Sequence, residues 1–497
     1  MNIKGFLLSG TILASAIGFS QEAKKIEFEE FDLDNGLHVI LHEDHSTPIV
    51  AVSVMYHVGS KNENPERTGF AHFFEHLLFE GSKYIERGQY DEYVEGNGGV
   101  LNANTSQDRT FYYEILPSNQ LELGLWLESE RMLHAKVENI GIETQRQVVK
   151  EEKRQRNDNQ PYGSVVYETM RRAFKVHPYK WQPIGSMEHL DAAVEKDYID
   201  FYRTFYVPNN AVLSIAGDID KKQAKEWISK YFATIPTGEK LNVYRDKDMM
   251  EFDKFRSKYA SVVGPKVKGA EFKTDFEKLT TEAFLAKYFK KVSTKPNAVP
   301  RPTVVEPELT SEVRDTIWDS KIQLPGVIMG YRMPAMDSKD FYAVQLLNSI
   351  LSGSNSSRMN KSIVEKKKLA LFAVSFPFPL EDPGISLVLG IPNMGISPDS
   401  LETAMNLEIE KLQNTLVPEK ELQKVKNKME SDFVNGNAKV AGIAETLANN
   451  HMYLGDANLI NTEMERYREV SREDIQRVAK KYYQQNKRVV LYYLPKK

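Results

Sequence analysis

The apolar residues of this chain follow two different periods, which predict a protein built from both strands and helices. Residues 26–58 contain two β-rich runs. In the first, Asn35-Gly36 separates two segments in which apolar and polar residues alternate, as in a β-hairpin. Residues 68–79, TGFAHFFEHLLF, place apolar residues around a few polar ones and contain no proline. This second pattern is typical of a buried or half-buried helix.

The rest of the first half continues the same mixture. A strand rich in Thr, Phe and Tyr follows Gly98-Gly99, and residues 120–156 have a long helical pattern. Residues 205–217 form another β run, and an amphipathic helical pattern follows it over 221–235. Together these segments predict one complete α+β unit.

Length and composition indicate how many domains the chain can form and exclude several kinds of site. A chain of 497 residues is long enough for two or more domains with substantial cores. The net charge of −4 provides no general attraction for nucleic acid, so we expect no nucleic-acid partner. Cysteine is absent, which excludes disulfides and zinc sites that use cysteine thiolates.

Residues 1–20 have the pattern of a secretory signal peptide. A lysine near the start precedes an apolar run, and small residues stand at Gly18 and Ser20, which predicts cleavage near Ser20-Gln21. The alternative is an uncleaved membrane anchor. No other stretch reaches the ~18 apolar residues that a spanning helix needs. We therefore expect an exported protein, periplasmic or secreted, with no membrane span in the mature chain.

The polar residues of the 68–79 helix have the spacing of a metal site. His72 and His76 are four residues apart, so a helix presents both imidazoles on one face, as a zinc ion requires. Glu75 lies beside them, where a carboxylate can take a proton from a zinc-activated water. The order H-x-x-E-H is the inverse of H-E-x-x-H. The alternative is an ordinary polar helix face, which the apolar flanks disfavour because burying His and Glu without a partner is costly.

A third metal ligand would strengthen the metal hypothesis, and one glutamate further along the chain stands apart from its neighbours. Residues 143–156, ETQRQVVKEEKRQR, are polar apart from two valines. Glu152 follows Val148 by four residues and Val149 by three, so it shares their stripe of the predicted helix. Most of its charged neighbours do not, although the usual explanation for such a polar helix is a solvated face.

The second half of the chain repeats the order of the first. Residues 311–333 are strand-like and residues 340–351 form an apolar helix. When the halves are aligned at the glycine that follows each helix, Val344 stands opposite His72, Leu347 opposite Glu75, and Asn348 opposite His76. This pattern predicts an internal duplication whose second copy has no metal site.

Taken together, these motifs resemble the pitrilysin/insulinase family of zinc peptidases, the inverzincins, and within it the short-chain branch that is similar to processing peptidases. Besides the H-x-x-E-H, the resemblance rests on a Gly-Gly-x-x-Asn-Ala-x-Thr strand and a V-V-K-E-E helix roughly 76 residues after the histidines. It covers nearly the whole mature chain and includes three short segments: His177-Pro178-Tyr179, Pro183-Ile184-Gly185 and Gly217-Asp218-Ile219.

The resemblance implies one zinc ion per chain and a role for each residue of the site. The implied ligands are His72, His76 and Glu152, with Glu151 as the fallback for the third, and Glu75 is the implied general base. Gln145 stands where the family usually has a carboxylate that supports the ligand. The resemblance also assigns substrate binding to a strand edge beside the metal, formed by Asn102, Ala103, Asn104 and Thr105. An ordinary edge strand is the alternative.

The implied fold is α+β, with two homologous halves that face each other as a clamshell, each a mainly antiparallel sheet with packed helices. We expect a signal peptide over 1–20, a metallopeptidase domain over 21–239, an insertion or linker over 240–302, and a homologous domain without metal over 303–497. The insertion is rich in Lys and Phe. We favour a solvated helical excursion there over a surface that binds a partner or a membrane.

The expected function is that of a zinc-dependent endopeptidase acting on peptides or short unfolded polypeptides. Active members of the family often carry an Arg and a Tyr, seven residues apart, where this chain has Val364 and Leu371. We therefore expect a heterodimer in which a related chain without metal supplies that pair, with a homodimer as the runner-up. The rival hypothesis is a non-catalytic binding or assembly subunit that has kept a structural metal site.

Overall fold

The computed structural model describes residues 25–496, so the predicted signal peptide over 1–20 lies outside the described residues. The strands of the first half are β1 (Glu29–Asp32), β2 (His38–Glu43), β3 (Ile49–Tyr56), β4 (Val100–Thr105), β5 (Thr110–Pro117) and β6 (Ala211–Gly217). Its helices are α1 (Phe70–Leu77), α2 (Gln89–Gly96), α3 (Leu121–His134), α4 (Asn139–Lys153), α5 (Val165–Ala173), α6 (Met187–Ala192), α7 (Glu195–Phe205) and α8 (Lys221–Tyr231).

Four helices follow, α9 (Gly238–Met249), α10 (Phe252–Val263), α11 (Ala270–Lys278) and α12 (Thr281–Tyr288). The strands of the second half are β7 (Val313–Asp319), β8 (Gly326–Arg332), β9 (Ala370–Phe378), β10 (Ile385–Pro392) and β11 (Arg488–Pro495). Its helices are α13 (Phe341–Ser352), α14 (Pro398–Asn414), α15 (Glu419–Gly436), α16 (Val440–Leu454), α17 (Leu459–Glu469) and α18 (Arg472–Tyr482).

The two sheets share the topology of five strands, and the first has an additional edge strand, β1. The first has the strand order β1-β2-β6-β3-β5-β4 and the second β7-β11-β8-β10-β9. In the first sheet β2 and β6 are parallel and every other pair is antiparallel. In the second sheet β7 and β11 form the corresponding parallel pair among antiparallel neighbours. The prediction of an α+β protein with two homologous halves, each built on a mainly antiparallel sheet, is therefore confirmed.

The predicted hairpin at the start of the first sheet is also present. Strands β1 and β2 pair antiparallel, with Asp32 directly opposite His38. Gly36 in the connecting turn has a φ of 86°, a conformation that costs glycine little and other residues much. The Asn35 side chain accepts a hydrogen bond from the Leu37 amide and donates to the carbonyls of Phe232 and Ile235.

In the second half, the residues aligned with the polar residues of α1 belong to the core. Val344 and Leu347 are buried in α13 among the apolar side chains of the second sheet. Asn348 is also buried, and its amide donates to the Val344 carbonyl, Ser386 Oγ and the Tyr483 hydroxyl. These contacts explain a polar residue in an apolar helix by hydrogen bonding inside the core.

Each half contributes one helix that packs against the sheet of the other half. Helix α5, from the first half, packs against β8 and β11. Helix α16, from the second half, packs against β2, β3 and β6 of the first sheet. The face of the first sheet that α16 covers, which includes Ile40, Ala51 and Met55, is opposite the face that carries α1. The two halves are thus joined by reciprocal packing as well as by the chain between them.

Helices α9 to α12 form a small helical unit with an apolar cluster of its own, centred on Phe255, Phe272 and Phe284. This unit is docked on the first half. Arg245 of α9 donates to three backbone carbonyls of the first half, those of Met132, Leu133 and Tyr206. Most of residues 240–302 are therefore helical, and the helices are packed against the first half and not merely solvated. Among the described residues, none of the helices combines the length and apolar character that a membrane crossing needs.

Candidate metal centre

Helix α1, which carries the H-x-x-E-H, is fixed at its start by two contacts. The Glu63 carboxylate accepts the backbone NH groups of Gly69 and Ala71, at 2.9 Å each, so it satisfies two amides that a helix start leaves free. Burial raises the pKa of Glu63 to about 8, although the hydrogen bonds from the backbone NH groups oppose that rise. The second contact is between glycines: a Cβ at Gly185 would lie 2.5 Å from the Gly69 Cα. The start of α1 thus has little freedom to move.

The rest of α1 is held by aromatic packing. Phe70, Phe73 and Phe74 are buried. The Phe70 and Phe73 rings lie 4.7 and 4.6 Å from the Tyr198 ring of α7, and Phe74 stacks on Phe201 at 5.5 Å. Because these apolar residues face α7, helical spacing turns the two histidines towards α4.

The structure brings His72, His76 and Glu152 to one place. Oε2 of Glu152 lies 3.1 Å from Nε2 of His76 and 3.4 Å from Nε2 of His72. One ligand atom from each of the three residues lies within 4.8 Å of the other two. The imidazole rings are 4.9 Å apart and inclined at 69°, an arrangement that directs their nitrogens towards a common point. Two imidazoles and a carboxylate are a common ligand set for catalytic zinc, so this donor set fits that ion.

Glu151 points elsewhere. Its carboxylate is exposed and accepts hydrogen bonds from Arg154 and Gln155. The structure also corrects the argument that selected Glu152: Val149 is buried as expected, but Val148 is 43% exposed. The inward face of α4 is therefore set by Ile142, Arg146 and Val149, and Glu152 continues that face by its three-residue spacing from Val149.

The charge of Glu152 is stabilised from two sides. Burial on its own would raise the pKa of Glu152, but the hydrogen bonds and charges of His72 and His76 outweigh it and hold that pKa well below its usual range. The other carboxylate oxygen, Oε1, pairs with Arg156 at 2.6 Å. Both oxygens are thus held, which orients Oε2 towards the histidines.

Glu75 is half-buried on the same helix and its carboxylate remains available. Within residues 25–496 it makes no hydrogen bond or ion pair. Its charge acts on the hydroxyls of Tyr112 and Tyr206, whose pKa values are raised chiefly by burial and in small part by Glu75. Tyr112 donates its hydroxyl to the Phe74 carbonyl. A carboxylate without a fixed partner can accept a proton from a water molecule beside the ligand cluster.

Strand β4 has one free edge. It is the last strand of the first sheet and pairs with β5 on one side, from Val100 opposite Ile115 to Thr105 opposite Thr110. Its exposure alternates, with Asn102 and Asn104 exposed and Ala103 and Thr105 half-buried. Helix α1 lies alongside β4. The predicted strand edge therefore runs next to the helix that carries the histidines.

Gln145 has a carboxylate partner that the sequence interpretation missed. Its amide nitrogen donates to Glu80, which also pairs with Arg87 at 2.8 Å. Glu80 lies just beyond the end of α1, and no spacing in the sequence relates it to Gln145. The side of α4 that faces α1 thus has a carboxylate beside position 145 although the residue there is an amide.

The two residues that stand where the family often has an Arg and a Tyr, Val364 and Leu371, both lie in the second half. Val364 is half-buried in the helical segment Asn360–Lys366. Leu371 is the second residue of β9, and its side chain is 55% exposed. Neither side chain can donate a hydrogen bond to a substrate.

Comparison with known proteins finds two models of one peptidase family and several relatives that are named as peptidases. A family model described as insulinase (peptidase family M16) matches residues 38–182, and one described as the peptidase M16 inactive domain matches residues 194–268 and 274–429. The zinc protease PqqE of Helicobacter pylori is 26% identical over 99% of both chains. The beta subunit of the Saccharomyces cerevisiae mitochondrial-processing peptidase is 26% identical over 42% of this chain and 45% of its own.

Solved structures share the fold. The crystal structure of a protease from Helicobacter pylori has a TM-score of 0.79 and 26% identity, over 95% of this chain and 100% of its own. The periplasmic protease PqqL of Escherichia coli has a TM-score of 0.65 and 18% identity, over 96% of this chain and 48% of its own. The two-half architecture described above is therefore one that known proteases adopt.

Proposed function

The chain belongs to the insulinase (peptidase M16) family, and from that membership we propose that it is a zinc-dependent endopeptidase acting on peptides or short unfolded polypeptides. The observation that carries the proposal is the convergence of His72, His76 and Glu152 beside Glu75, whose carboxylate has no partner among the described residues. The similarity to PqqE, which is named a zinc protease, supports it.

In this proposal His72, His76 and Glu152 hold one zinc ion. When bound, zinc polarises the scissile carbonyl and lowers the pKa of a water molecule to about 7. Glu75 takes the proton of the attacking water and later delivers it to the leaving amine. Arg156 keeps Glu152 turned towards the histidines through its 2.6 Å ion pair.

The free edge of β4 is the proposed binding site for the peptide backbone. An extended peptide can add to a sheet edge through main-chain hydrogen bonds, which do not depend on its side chains. Asn102, Ala103, Asn104 and Thr105 form that edge, and α1 lies beside them. A peptide held there would pass close to Glu75, with its scissile bond within reach of the ligand cluster.

The domain organisation is part of the proposal. Residues 21–239 would form the metallopeptidase domain, 240–302 the insertion, and 303–497 the homologous domain without a metal site. The substrate would lie between the two halves of a clamshell. The proposed localisation is periplasmic or secreted, after removal of residues 1–20, and the similarity in fold to the periplasmic PqqL is in keeping with it.

We propose a heterodimer as the active assembly, and a homodimer is the runner-up. Transition-state donors are needed as well as a nucleophile, and Val364 and Leu371 provide none. A related chain without metal ligands would supply the Arg and Tyr. One relative of this chain is itself named as a subunit, the beta subunit of mitochondrial-processing peptidase.

The same two aliphatic residues favour the rival hypothesis of a non-catalytic subunit with a structural metal. The two functions are separated by measuring zinc content and hydrolysis of a quenched peptide library, on the chain alone and with its candidate partner. The proposal expects hydrolysis that a chelator abolishes and zinc restores. A zinc-loaded protein that cleaves no peptide in either state contradicts the enzyme, and a protein without zinc contradicts both hypotheses.

A further inference from the structure

We propose that the junction of the two halves carries a second site for a divalent transition-metal ion, formed by Glu30, His38 and His451. These three residues offer ligand atoms within 4.8 Å of one another. The site does not depend on the proposed peptidase function. It lies on the opposite face of the first sheet from α1, so the sheet itself separates the two centres.

Rigid elements build this second site. Strands β1 and β2 pair with Asp32 opposite His38 and Glu30 opposite Ile40. Since side chains two residues apart on a strand share a face, all four lie on the same side of the sheet. Helix α16 covers that side, where Ile40 belongs to an apolar cluster with residues of α16.

His451 extends the packed stripe of α16 to the edge of this interface. It follows Leu447 by four residues, and Leu447 is buried in the cluster that contains Ile40. His451 itself is half-buried, and its ring lies against that of His38 with 3.4 Å between the centroids. An ion held here would therefore contact one helix of the second half and two strands of the first.

The tautomer of His38 is set for metal binding. Its Nδ1 lies 2.8 Å from Oδ1 of Asp32, and a carboxylate accepts hydrogen bonds, so Nδ1 carries the proton. Nε2 is then the ring nitrogen that remains to bind a metal. That atom is buried without a hydrogen-bond partner in a residue that is 9% exposed, and it lies 3.4 Å from Oε2 of Glu30. A carboxylate behind a histidine is the usual support for a metal ligand.

The two rings are stacked, with 11° between their planes. Because the lone pairs of stacked rings lie in nearly parallel planes, a single ion can bind both imidazoles only after the His451 ring turns about its Cβ–Cγ bond. Two imidazoles and one carboxylate suit zinc and related transition metals, whereas calcium and magnesium prefer oxygen ligands.

The test uses zinc alone as the probe and counts ions on the full-length mature chain. After the metal is stripped and the protein is titrated calorimetrically, we expect two zinc ions for the wild type and one for His72→Ala/His76→Ala. Adding His38→Gln and His451→Gln to that double variant should abolish binding of the remaining zinc ion. His45→Gln is the matched control, because His45 is also flanked by two carboxylates, Glu43 and Asp218, but has no second imidazole. It should leave both ions in place.

The variant Asp32→Asn tests whether the Asp32 carboxylate strengthens metal binding by His38. Removing such a carboxylate typically weakens metal binding by about 10- to 100-fold. That loss should affect only the ion retained by His72→Ala/His76→Ala. If the combined His38 and His451 variant does not fold, His451→Gln alone serves, with the rise in melting temperature on adding zinc as the readout. That rise should disappear in His451→Gln.

Two outcomes would overturn the second site. One is a His72→Ala/His76→Ala protein that binds no zinc and gains no thermal stability from it. The other is a second zinc ion that persists after His451→Gln with unchanged affinity, which would mean binding elsewhere on the surface. Neither outcome bears on the peptidase proposal, which depends on His72, His76 and Glu152.

Discussion

Glu152 Oε2 lies 3.1 Å from His76 Nε2, although 76 residues separate the two along the chain. One side chain belongs to α1 and the other to the last turn of α4, so the cluster exists only when these two helices are packed together. The candidate site is therefore as sensitive to how α1 is held as to its three ligands.

The third ligand can be assigned with a pair of adjacent variants. Glu152→Ala should lower the zinc content by one ion per chain, because it removes the carboxylate that both histidines contact. Glu151→Ala should not, since Glu151 is exposed and paired with Arg154. The measurement is elemental analysis after dialysis against a zinc buffer. Loss of zinc in Glu151→Ala with retention in Glu152→Ala would reverse the assignment.

Glu75→Gln should separate metal binding from turnover. The ligands remain in this variant and the proton acceptor is gone, so zinc should stay bound while the rate falls by about 10²- to 10⁴-fold. The rate is measured on a quenched peptide with metal content determined on the same sample. Wild-type activity in zinc-loaded Glu75→Gln would rule out Glu75 as the base.

Gly185→Ala should disturb the metal centre although residue 185 is no ligand. The new Cβ would lie 2.5 Å from both the Gly69 Cα and the Thr68 carbonyl oxygen, at a φ of 70°. Gly395→Ala is the control, because its φ is 84° and nothing lies within 4 Å of its Cβ. We expect the control to lose about 1–2 kcal/mol of unfolding free energy from backbone strain alone. Gly185→Ala should lose more, and it alone should bind zinc more weakly in a calorimetric titration.

The docking of α9 should depend on pH through the pair formed by Asp248 and His134, whose Oδ2 and Nε2 lie 2.9 Å apart. Burial opposes the charge of Asp248, but hydrogen bonds from His134, Thr281 and Lys83 lower its pKa to about 2. Burial likewise opposes the charge of His134, and Asp248 and Glu130 raise its pKa. The pair therefore stabilises the folded chain most between pH 3.8 and 6.5, the ordinary pKa values of the two groups.

The contribution of Asp248, on the order of 2 kcal/mol, is lost as pH falls from 3.8 towards 2, and the contribution of His134 is lost as pH rises from 6.5 through its raised pKa. The difference in melting temperature between wild type and Asp248→Asn should therefore peak in that window. Asp253→Asn, at an exposed ion pair in α10, should show no such peak. A difference that does not vary with pH would contradict the ion-pair explanation.

The proposed partner can be tested by reconstitution. If Val364 and Leu371 leave the chain without transition-state donors, the isolated chain should be slower than the assembled pair by about 10²- to 10³-fold. The chain is purified alone, then mixed with its candidate partner, and peptide cleavage is followed across a gel-filtration profile. Equal rates for the isolated chain and the mixture would remove the need for a heterodimer.

Much of the fold was predictable because its signals are local. Alternation marked the β1–β2 hairpin, and helical spacing marked the histidines of α1 and the apolar α13. The helical pattern over 120–156 proved to be two helices, α3 and α4, separated at Ala135–Glu138. Hydrophobic periodicity did not reveal this break because it is only four residues long and continues the mixture of polar and apolar residues. The duplication followed from comparing these patterns between the halves.

The features that could not be predicted are contacts between elements far apart in the chain. Periodicity shows which face of an element is apolar but not which other element that face packs against. The stripe of α16 shows that one face is apolar but not that it covers the sheet of the other half. For the same reason, nothing in the sequence joined His451 to His38, which are over four hundred residues apart. Glu80 was missed because it lies in the turn after α1 while its partner Gln145 lies on α4, 65 residues later.

The exchange of α5 and α16 between the halves sets the order in which the chain can finish folding. Strand β6 completes the first sheet at Gly217, but the helix that covers one face of that sheet begins at Val440, roughly 220 residues later. At the ~5–20 residues per second of protein synthesis, that apolar face stays uncovered for about 10–45 seconds. During translation the first half therefore exposes an apolar face on which chaperones can act, and truncation before Val440 should yield an aggregating protein rather than an independent domain.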